Sequence, residues 1–138
     1  MSQLTTIPLV SMESMNTVHH EEVLLIEKLL EQITGGEAHE VLSASFDAIL
    51  THMQEHFASE EKMMQEAQYP SFRMHKAEHD KILQETRYAE MEWRNRKSVA
   101  DLQAYFEEDI ITWLEQHIKA MDTPTADFLM QFEKYRGY

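Results

Sequence analysis

Hydrophobic residues recur every three or four positions along most of the chain, which is the spacing of residues on one face of an α-helix. The pattern predicts a first helix over about residues 14–33, followed by Thr34-Gly35-Gly36, a sequence typical of a helix C-terminus. It predicts a second helix over about residues 37–67, which Tyr69-Pro70 ends. The candidate core residues of these two helices are Val18, Val23, Ile26, Leu29, Leu30, Ile33, Val41, Phe46, Ile49, Leu50, Met53, Phe57 and Met64.

The second half of the chain predicts two more helices and a short C-terminal one. Ser71 is a residue type that caps helix N-termini, and Ser98 followed by Asp101 resembles a capping box. A polar link over residues 94–97 separates the third and fourth helices, and Asp122-Thr123-Pro124 is expected to close the fourth. The expected helices run from about Ser71 to Trp93, from Val99 to Met121, and then through Phe132.

Four helices joined by short links predict an all-α fold, an up-down-up-down antiparallel four-helix bundle. The length of 138 residues suits one domain with its own hydrophobic core. We expect a single domain over residues 1–138, divided into an irregular N-terminal arm (1–13), the bundle (about 14–122) and a C-terminal extension (123–138). Pro8 disfavours a helix in the arm.

The amino-acid composition argues against several classes of function. The net charge is −13, with 25 Asp and Glu against 12 Lys and Arg, so binding to nucleic-acid phosphates is disfavoured. No cysteine is present, which excludes disulfides and thiolate metal sites. No apolar stretch approaches the ~18 residues of a membrane span, and the N-terminus lacks a signal-peptide pattern. We therefore expect a cytoplasmic protein with no membrane and no nucleic-acid partner.

The placement of the histidines is the most informative chemical feature. His56 and Glu60 are four residues apart, as are His75 and His79, so each pair shares one face of its helix. Burying so many polar side chains without partners would be costly, so packing does not explain them. The sequence predicts an inward-facing site for transition-metal ions, with candidate ligands His19, His56, Glu60, His75, His79, His117 and Asp122.

These residue types suggest two ions. Two histidines on the third helix and His117 on the fourth can hold one ion, and His19 with His56 can hold another. Glu60 and Asp122 remain as bridges, because a carboxylate has two oxygens. Imidazole and carboxylate together suit iron, manganese or zinc.

Three sequence segments resemble motifs of the hemerythrin family. They are H-F-A-S-E-E-K-M-M from His56, Y-P-S-F-R-M-H-K-A-E-H from Tyr69, and W-L-E-Q-H-I-K-A-M-D from Trp113. With a histidine on the first helix, the resemblance covers roughly residues 15–122, and the length is close to that of the single-domain bacterial members.

The resemblance implies a non-heme diiron centre, with an oxo or hydroxo group as third bridge, whose activity is reversible O2 binding. The ligand would be O2, or another small diatomic or peroxide ligand, and the sequence identifies no protein partner. By resemblance, His75, His79 and His117 hold one iron, His19 and His56 hold the other, and Glu60 and Asp122 bridge them. The residues that match the family's ligand pocket are Phe57, Trp113, Leu114 and Ile118.

The first-helix motif departs from the family pattern. We select His19 over His20 because Ile26 and Leu29 then fall at the family's apolar positions, whereas His20 is rotated by about 100°. Glu22 stands where the family has an apolar residue beside the O2 pocket. Glu22 either turns to solvent, pairs with a lysine or hydrogen-bonds to a histidine next to the ligands, or it is itself a ligand that fills the open iron position.

Glu22 that occupies or gates the open iron site would oppose O2 carriage and favour a diiron redox protein acting on peroxide or nitric oxide, or an oxygen, redox or iron sensor. Enzyme activity is therefore left open, with O2 binding preferred. A ferritin-like site is disfavoured because no histidine has a glutamate three residues before it, and the zinc motif H-E-x-x-H is absent. Among the other polar residues, Glu61 is expected to face solvent, and His52 lies one turn before His56.

Overall fold

The computed structural model describes residues 7–136, and all regular secondary structure in that range is helical. Four helical segments are separated by short links, which confirms the all-α prediction, while the up-down order of the bundle stays a prediction. None of the described helices is long and apolar enough to cross a membrane. The segments are α1 (Glu13–Thr34), α2 (His39–Glu66), α3 (Phe72–Arg96) and a composite fourth segment of α4 (Val99–Ala104), the π-helical turn π1 (Tyr105–Asp109), α5 (Ile110–His117), the π-helical turn π2 (Ile118–Asp122) and α6 (Thr123–Arg136).

Two helix ends follow the expected turn chemistry, whereas Ser71 precedes α3 but makes no capping hydrogen bond through its side chain. After α1 the chain takes a left-handed conformation at Gly36 (φ 72°), where glycine has no side chain to strain, and the Glu37 amide bonds the Gln32 carbonyl. The Ser98 hydroxyl accepts from the Asp101 amide at 3.2 Å and caps α4. The predicted link of residues 94–97 is shorter than expected, because α3 continues to Arg96 and ends with Lys97 left-handed at φ 54°.

The prediction that Asp122-Thr123-Pro124 closes the fourth helix is wrong. The amide of Thr123 bonds the carbonyl of Ile118, five residues back, and the Thr123 hydroxyl donates to the same carbonyl at 2.9 Å. These bonds carry the chain through π2 into α6 without a break. Pro124 lies just after π2 within this continuous helical segment, so its missing amide leaves one backbone hydrogen bond of the helix unmade.

The described part of the N-terminal arm is not helical, but hydrogen bonds attach it to α1 and α6. The Asn16 side chain accepts from the Val10 amide at 2.8 Å and donates to the Val10 carbonyl at 2.9 Å. The Ser11 hydroxyl donates to Asp127 on α6 at 2.6 Å. Residues 1–6 of the predicted arm and 137–138 of the predicted extension lie outside the described residues.

One continuous core runs through the helices. Most candidate core residues are buried, but Val41 is 37% exposed and its neighbour Leu42 is buried instead. Because successive residues on a helix differ by about 100°, this is a one-residue error in the assigned face. An apolar region of this core is formed by Leu29, Phe46, Ile49, Leu102 and Phe106.

Candidate metal centre

The seven predicted ligands lie together in one buried group, here called the metal cluster. Each of the four helical segments contributes, and no member is more than 5% exposed. The neighbouring His20 is exposed, so α1 directs only His19 inward. The members are His19 on α1, His56 and Glu60 on α2, His75 and His79 on α3, and His117 and Asp122 on the fourth segment.

Three histidines converge on one side of the metal cluster. The Nε2 atoms of His75 and His117 are 3.1 Å apart, and they lie 3.0 and 3.2 Å from Oδ1 of Asp122. Nε2 of His79 lies 3.3 Å from Oε1 of Glu60. Donor atoms of these five residues all lie within 4.8 Å of one another, so they form a set that can surround one ion.

Two histidines face the other oxygens of the same carboxylates. Nε2 of His56 is 2.7 Å from Oε2 of Glu60, and Nε2 of His19 is 3.0 Å from Oδ2 of Asp122. Each carboxylate therefore turns one oxygen to the three-histidine side and the other to the two-histidine side. That division is the arrangement required of a carboxylate that bridges two ions.

The π2 turn explains how Asp122 reaches the metal cluster. His117 and Asp122 are five residues apart, and in a regular α-helix five residues correspond to a rotation of about 140° away from the same face. A π-helical turn closes with an i→i+5 bond and contains one more residue. It brings residues five apart onto one face, so Asp122 lies beside Nε2 of His117.

Buried polar atoms without hydrogen-bond partners indicate whether a metal ion fits the metal cluster. Within the described residues, seven buried side-chain nitrogen or oxygen atoms have no hydrogen-bond partner, and six of them belong to the metal cluster. Buried polar atoms without partners are costly and rare. Cations would satisfy five of the six, which are Nε2 of His19, Nε2 of His79, Oε1 of Glu60, and both Oδ1 and Oδ2 of Asp122.

The electrostatics of the metal cluster favour a cation. Burial acts to lower the pKa of His19, but the nearby carboxylates of Asp122 and Glu60 outweigh it and raise this pKa to about 9. Burial acts to raise the pKa values of both carboxyl groups, but the histidines around them lower these values well below the usual range. Without a metal, the negative carboxylates are balanced by protons on histidines, and a metal ion would displace those protons.

Three of the ligand rings are held from behind by groups that sequence reasoning did not find. Nδ1 of His75 lies 2.8 Å from the Thr125 hydroxyl, and Nδ1 of His117 lies 2.9 Å from Glu78. Nδ1 of His79 lies 3.0 Å from Glu61. The prediction that Glu61 faces solvent is wrong, because the rotation from Glu60 directs it towards α3. Each of these partners lies on a different helical segment from the ring that it contacts, so the residue spacing within one helix could not predict it.

Glu22 lies behind His56. It is 3% exposed, and its Oε1 lies 3.1 Å from Nδ1 of His56 and 3.0 Å from Nδ1 of His52. Nε2 of His56 faces Glu60 on the opposite side of the ring. This geometry favours the alternative in which Glu22 hydrogen-bonds to histidines over the one in which it is a ligand.

The four predicted pocket residues are placed as follows. Phe57 stacks on His79 with ring centroids 3.9 Å apart, and Trp113 stacks on His117 at 4.4 Å. Leu114 and Ile118 are fully buried in the hydrophobic core. Aromatic rings therefore cover two of the ligand imidazoles.

Five imidazoles and two carboxylates buried between helices define the class, a metal-binding helical protein. The sequence profile described as "Hemerythrin HHE cation binding domain" matches residues 11–125, and the chain belongs to the hemerythrin family. It is similar to the bacteriohemerythrin of Aquifex aeolicus (strain VF5), with 30% identity over 115 residues, 83% of this chain and 87% of that protein. No solved structure was found to match the chain.

Proposed function

We propose that the metal cluster holds two iron ions, bridged in addition by an oxo or hydroxo group, and that the chain binds O2 there. The observation that carries this proposal is the division of the carboxylate oxygens. Oε1 and Oε2 of Glu60, like Oδ1 and Oδ2 of Asp122, face histidines on opposite sides of the metal cluster. A site for a single ion would not require the two oxygens of each carboxylate to face histidines on opposite sides.

The two sides would differ in their open positions. His75, His79 and His117 would hold one iron, and His19 and His56 the other, with one fewer imidazole. A ferrous pair, when bound, supplies the electrons with which such a centre takes up O2. The side with fewer protein ligands is therefore the proposed position for O2 or another small ligand of the same kind.

The residues around the ligands would keep the site dry. Phe57 contacts the rings of both His56 and His79, and Trp113 covers His117. Leu114 and Ile118 belong to the buried core that continues from these rings. Apolar side chains at a metal site limit the access of water, so they favour a bound small ligand over its loss. A cytoplasmic location and the absence of nucleic-acid partners stay predictions from composition.

The test is an optical titration of the iron-loaded protein. The protein is reduced without oxygen, exposed to O2 and then flushed with inert gas while its visible absorption is followed. We expect a band that appears with O2 and disappears on flushing. The His19→Ala variant should lose this response, while the matched His20→Ala variant, altered at an exposed neighbour, should keep it. A protein that binds no iron, or fewer than two ions per chain, would refute the proposal.

The second candidate is a diiron redox protein or a sensor of oxygen, redox state or iron. The observation that favours it is the carboxylate of Glu22 behind His56, because a buried negative charge beside an iron stabilises the ferric state. Direct and irreversible conversion to the diferric spectrum in the same titration would select this candidate over reversible O2 binding.

A further inference from the structure

A chain of four side chains runs from the metal cluster to the surface on the two-histidine side. Glu22 contacts Nδ1 of His56 and Nδ1 of His52, and Nε2 of His52 lies 3.3 Å from Oε1 of Glu21. Exposure of the side chains rises outward, from 2% for His56 and 4% for Glu22 to 19% for His52 and 57% for Glu21. Glu22 is thus the buried link between a ligand and a partly exposed histidine.

Metal binding fixes the direction of the hydrogen bond. A histidine that binds a metal through Nε2 uses the lone pair of that atom, so its proton lies on Nδ1. Nδ1–H of His56 then donates to Glu22, and Nδ1–H of His52 donates to the same oxygen. Two donors compensate a carboxylate that would otherwise be costly to bury. The His56 ring is held between Glu60 at Nε2 and Glu22 at Nδ1.

The other ligand rings have different surroundings. His75 has the neutral Thr125 hydroxyl as its partner, and the carboxylates behind His79 and His117 belong to side chains that are 19% and 40% exposed. Nδ1 of His19 has no hydrogen-bond partner among residues 7–136. Glu22, at 4%, is the most buried of the three carboxylates, so solvent screens its charge least.

We propose that Glu22, supported by His52, is a positioning residue that orients His56 and places a poorly screened negative charge beside the two-histidine iron alone. The inference rests on the proposed diiron site. Its consequence is that Glu22 stabilises the ferric state at that position and increases the difference that the unequal numbers of histidines already give the two irons. A negative acceptor behind an imidazole also makes that imidazole a stronger donor to its metal.

Glu22→Gln and Glu22→Leu separate charge from orientation. Glutamine keeps an oxygen acceptor of the same size without the charge, so iron stoichiometry should stay at two and the reduction potential should rise. Leucine removes both, so the affinity for the second Fe(II) should fall about 10- to 100-fold. His52→Leu removes one of the two donors that compensate the Glu22 carboxylate, so the reduction potential should fall. The matched control is Glu61→Gln, which alters the carboxylate behind His79 and should perturb the other iron.

The readouts are an anaerobic Fe(II) titration, the reduction potential and Mössbauer spectra of the two iron sites. Urea denaturation of the metal-free variants checks that each one folds. If Glu22→Gln leaves the potential and the Mössbauer parameters unchanged, Glu22 only fills space and the inference is overturned. If the unaltered protein binds fewer than two irons, the proposed function itself fails. A protein that binds two irons but shows no Glu22 effect refutes only this inference.

Discussion

The core has two regions that are equally buried and opposite in chemistry. In the apolar region, Phe46 and Phe106 meet edge to face at 4.9 Å and are 0% exposed. In the metal cluster, His75 and Asp122 are also 0% exposed. Apolar burial stabilises the fold without any partner, whereas buried imidazoles and carboxylates stabilise it only when their polar atoms are satisfied. The apolar region therefore stabilises the fold by itself, whereas the metal cluster is suited to binding metal ions.

The largest expected effect is that of removing the metal. An ion that binds only the folded chain stabilises it by about 4 kcal/mol at a free concentration ~1,000 times its Kd. Chelation of the iron-loaded protein should therefore lower the free energy of unfolding by about that amount per ion, measured by urea denaturation. Equal stability of the loaded and chelated forms would mean that the metal cluster does not depend on a cation.

A truncation in the apolar region should cost almost as much without involving the metal. Phe46→Ala should lower the free energy of unfolding by about 3–5 kcal/mol through lost burial and a residual cavity. The iron stoichiometry should stay unchanged, and the metal-free and loaded forms should lose equally. Val41→Ala on the same helix, at a side chain that is 37% exposed, should change stability by no more than about 0.5 kcal/mol.

The periodicity of the sequence predicts part of each region. Residues such as Phe46 and pairs such as His75 and His79 follow the periodicity of their own helix, so the core and the ligand spacing could be predicted. Thr125 and Glu78 could not, because they meet ligand rings on other helical segments. The link between His117 and Asp122 required π2, which a search at 3.6 residues per turn misses.

A smaller effect is expected behind the ligands. Thr125→Val keeps the shape of the side chain but removes the acceptor for Nδ1–H of His75. Metal affinity should fall about tenfold or more, as for other groups that orient ligands, in an Fe(II) titration. Thr123→Val is the matched control, because that hydroxyl bonds the Ile118 carbonyl and, among residues 7–136, no ligand ring. Equal affinities of the two variants would contradict a role of Thr125 at the metal.

The smallest expected effect lies outside both regions. The neighbouring carboxylate of Asp47, aided by burial, raises the pKa of Glu90, so this group favours its protonated form in the folded chain. Its contribution to stability is present below the unfolded pKa and is lost as pH rises through the folded pKa. Glu90→Gln should therefore be more stable than the unaltered protein at pH 7, by no more than about 0.5 kcal/mol because solvent screens the pair.

This difference should vanish when the pH is lowered below the pKa of both carboxyl groups, which a series of denaturation curves would show. Glu92→Gln on the same helix is the control. It removes an ion pair with Arg96 (2.9 Å) and should change stability slightly in the opposite direction. Equal responses of the two variants would exclude repulsion between Glu90 and Asp47 as the cause.

The π2 turn has a consequence for how relatives of this chain are aligned. The turn contains one residue more than a regular helical turn, so the chain can change its length by one residue there while the flanking helix keeps its orientation. In a relative without the extra residue, a histidine and an aspartate four apart would occupy the same face as His117 and Asp122. An alignment gap at this turn then marks a change of helix type and not the loss of a ligand.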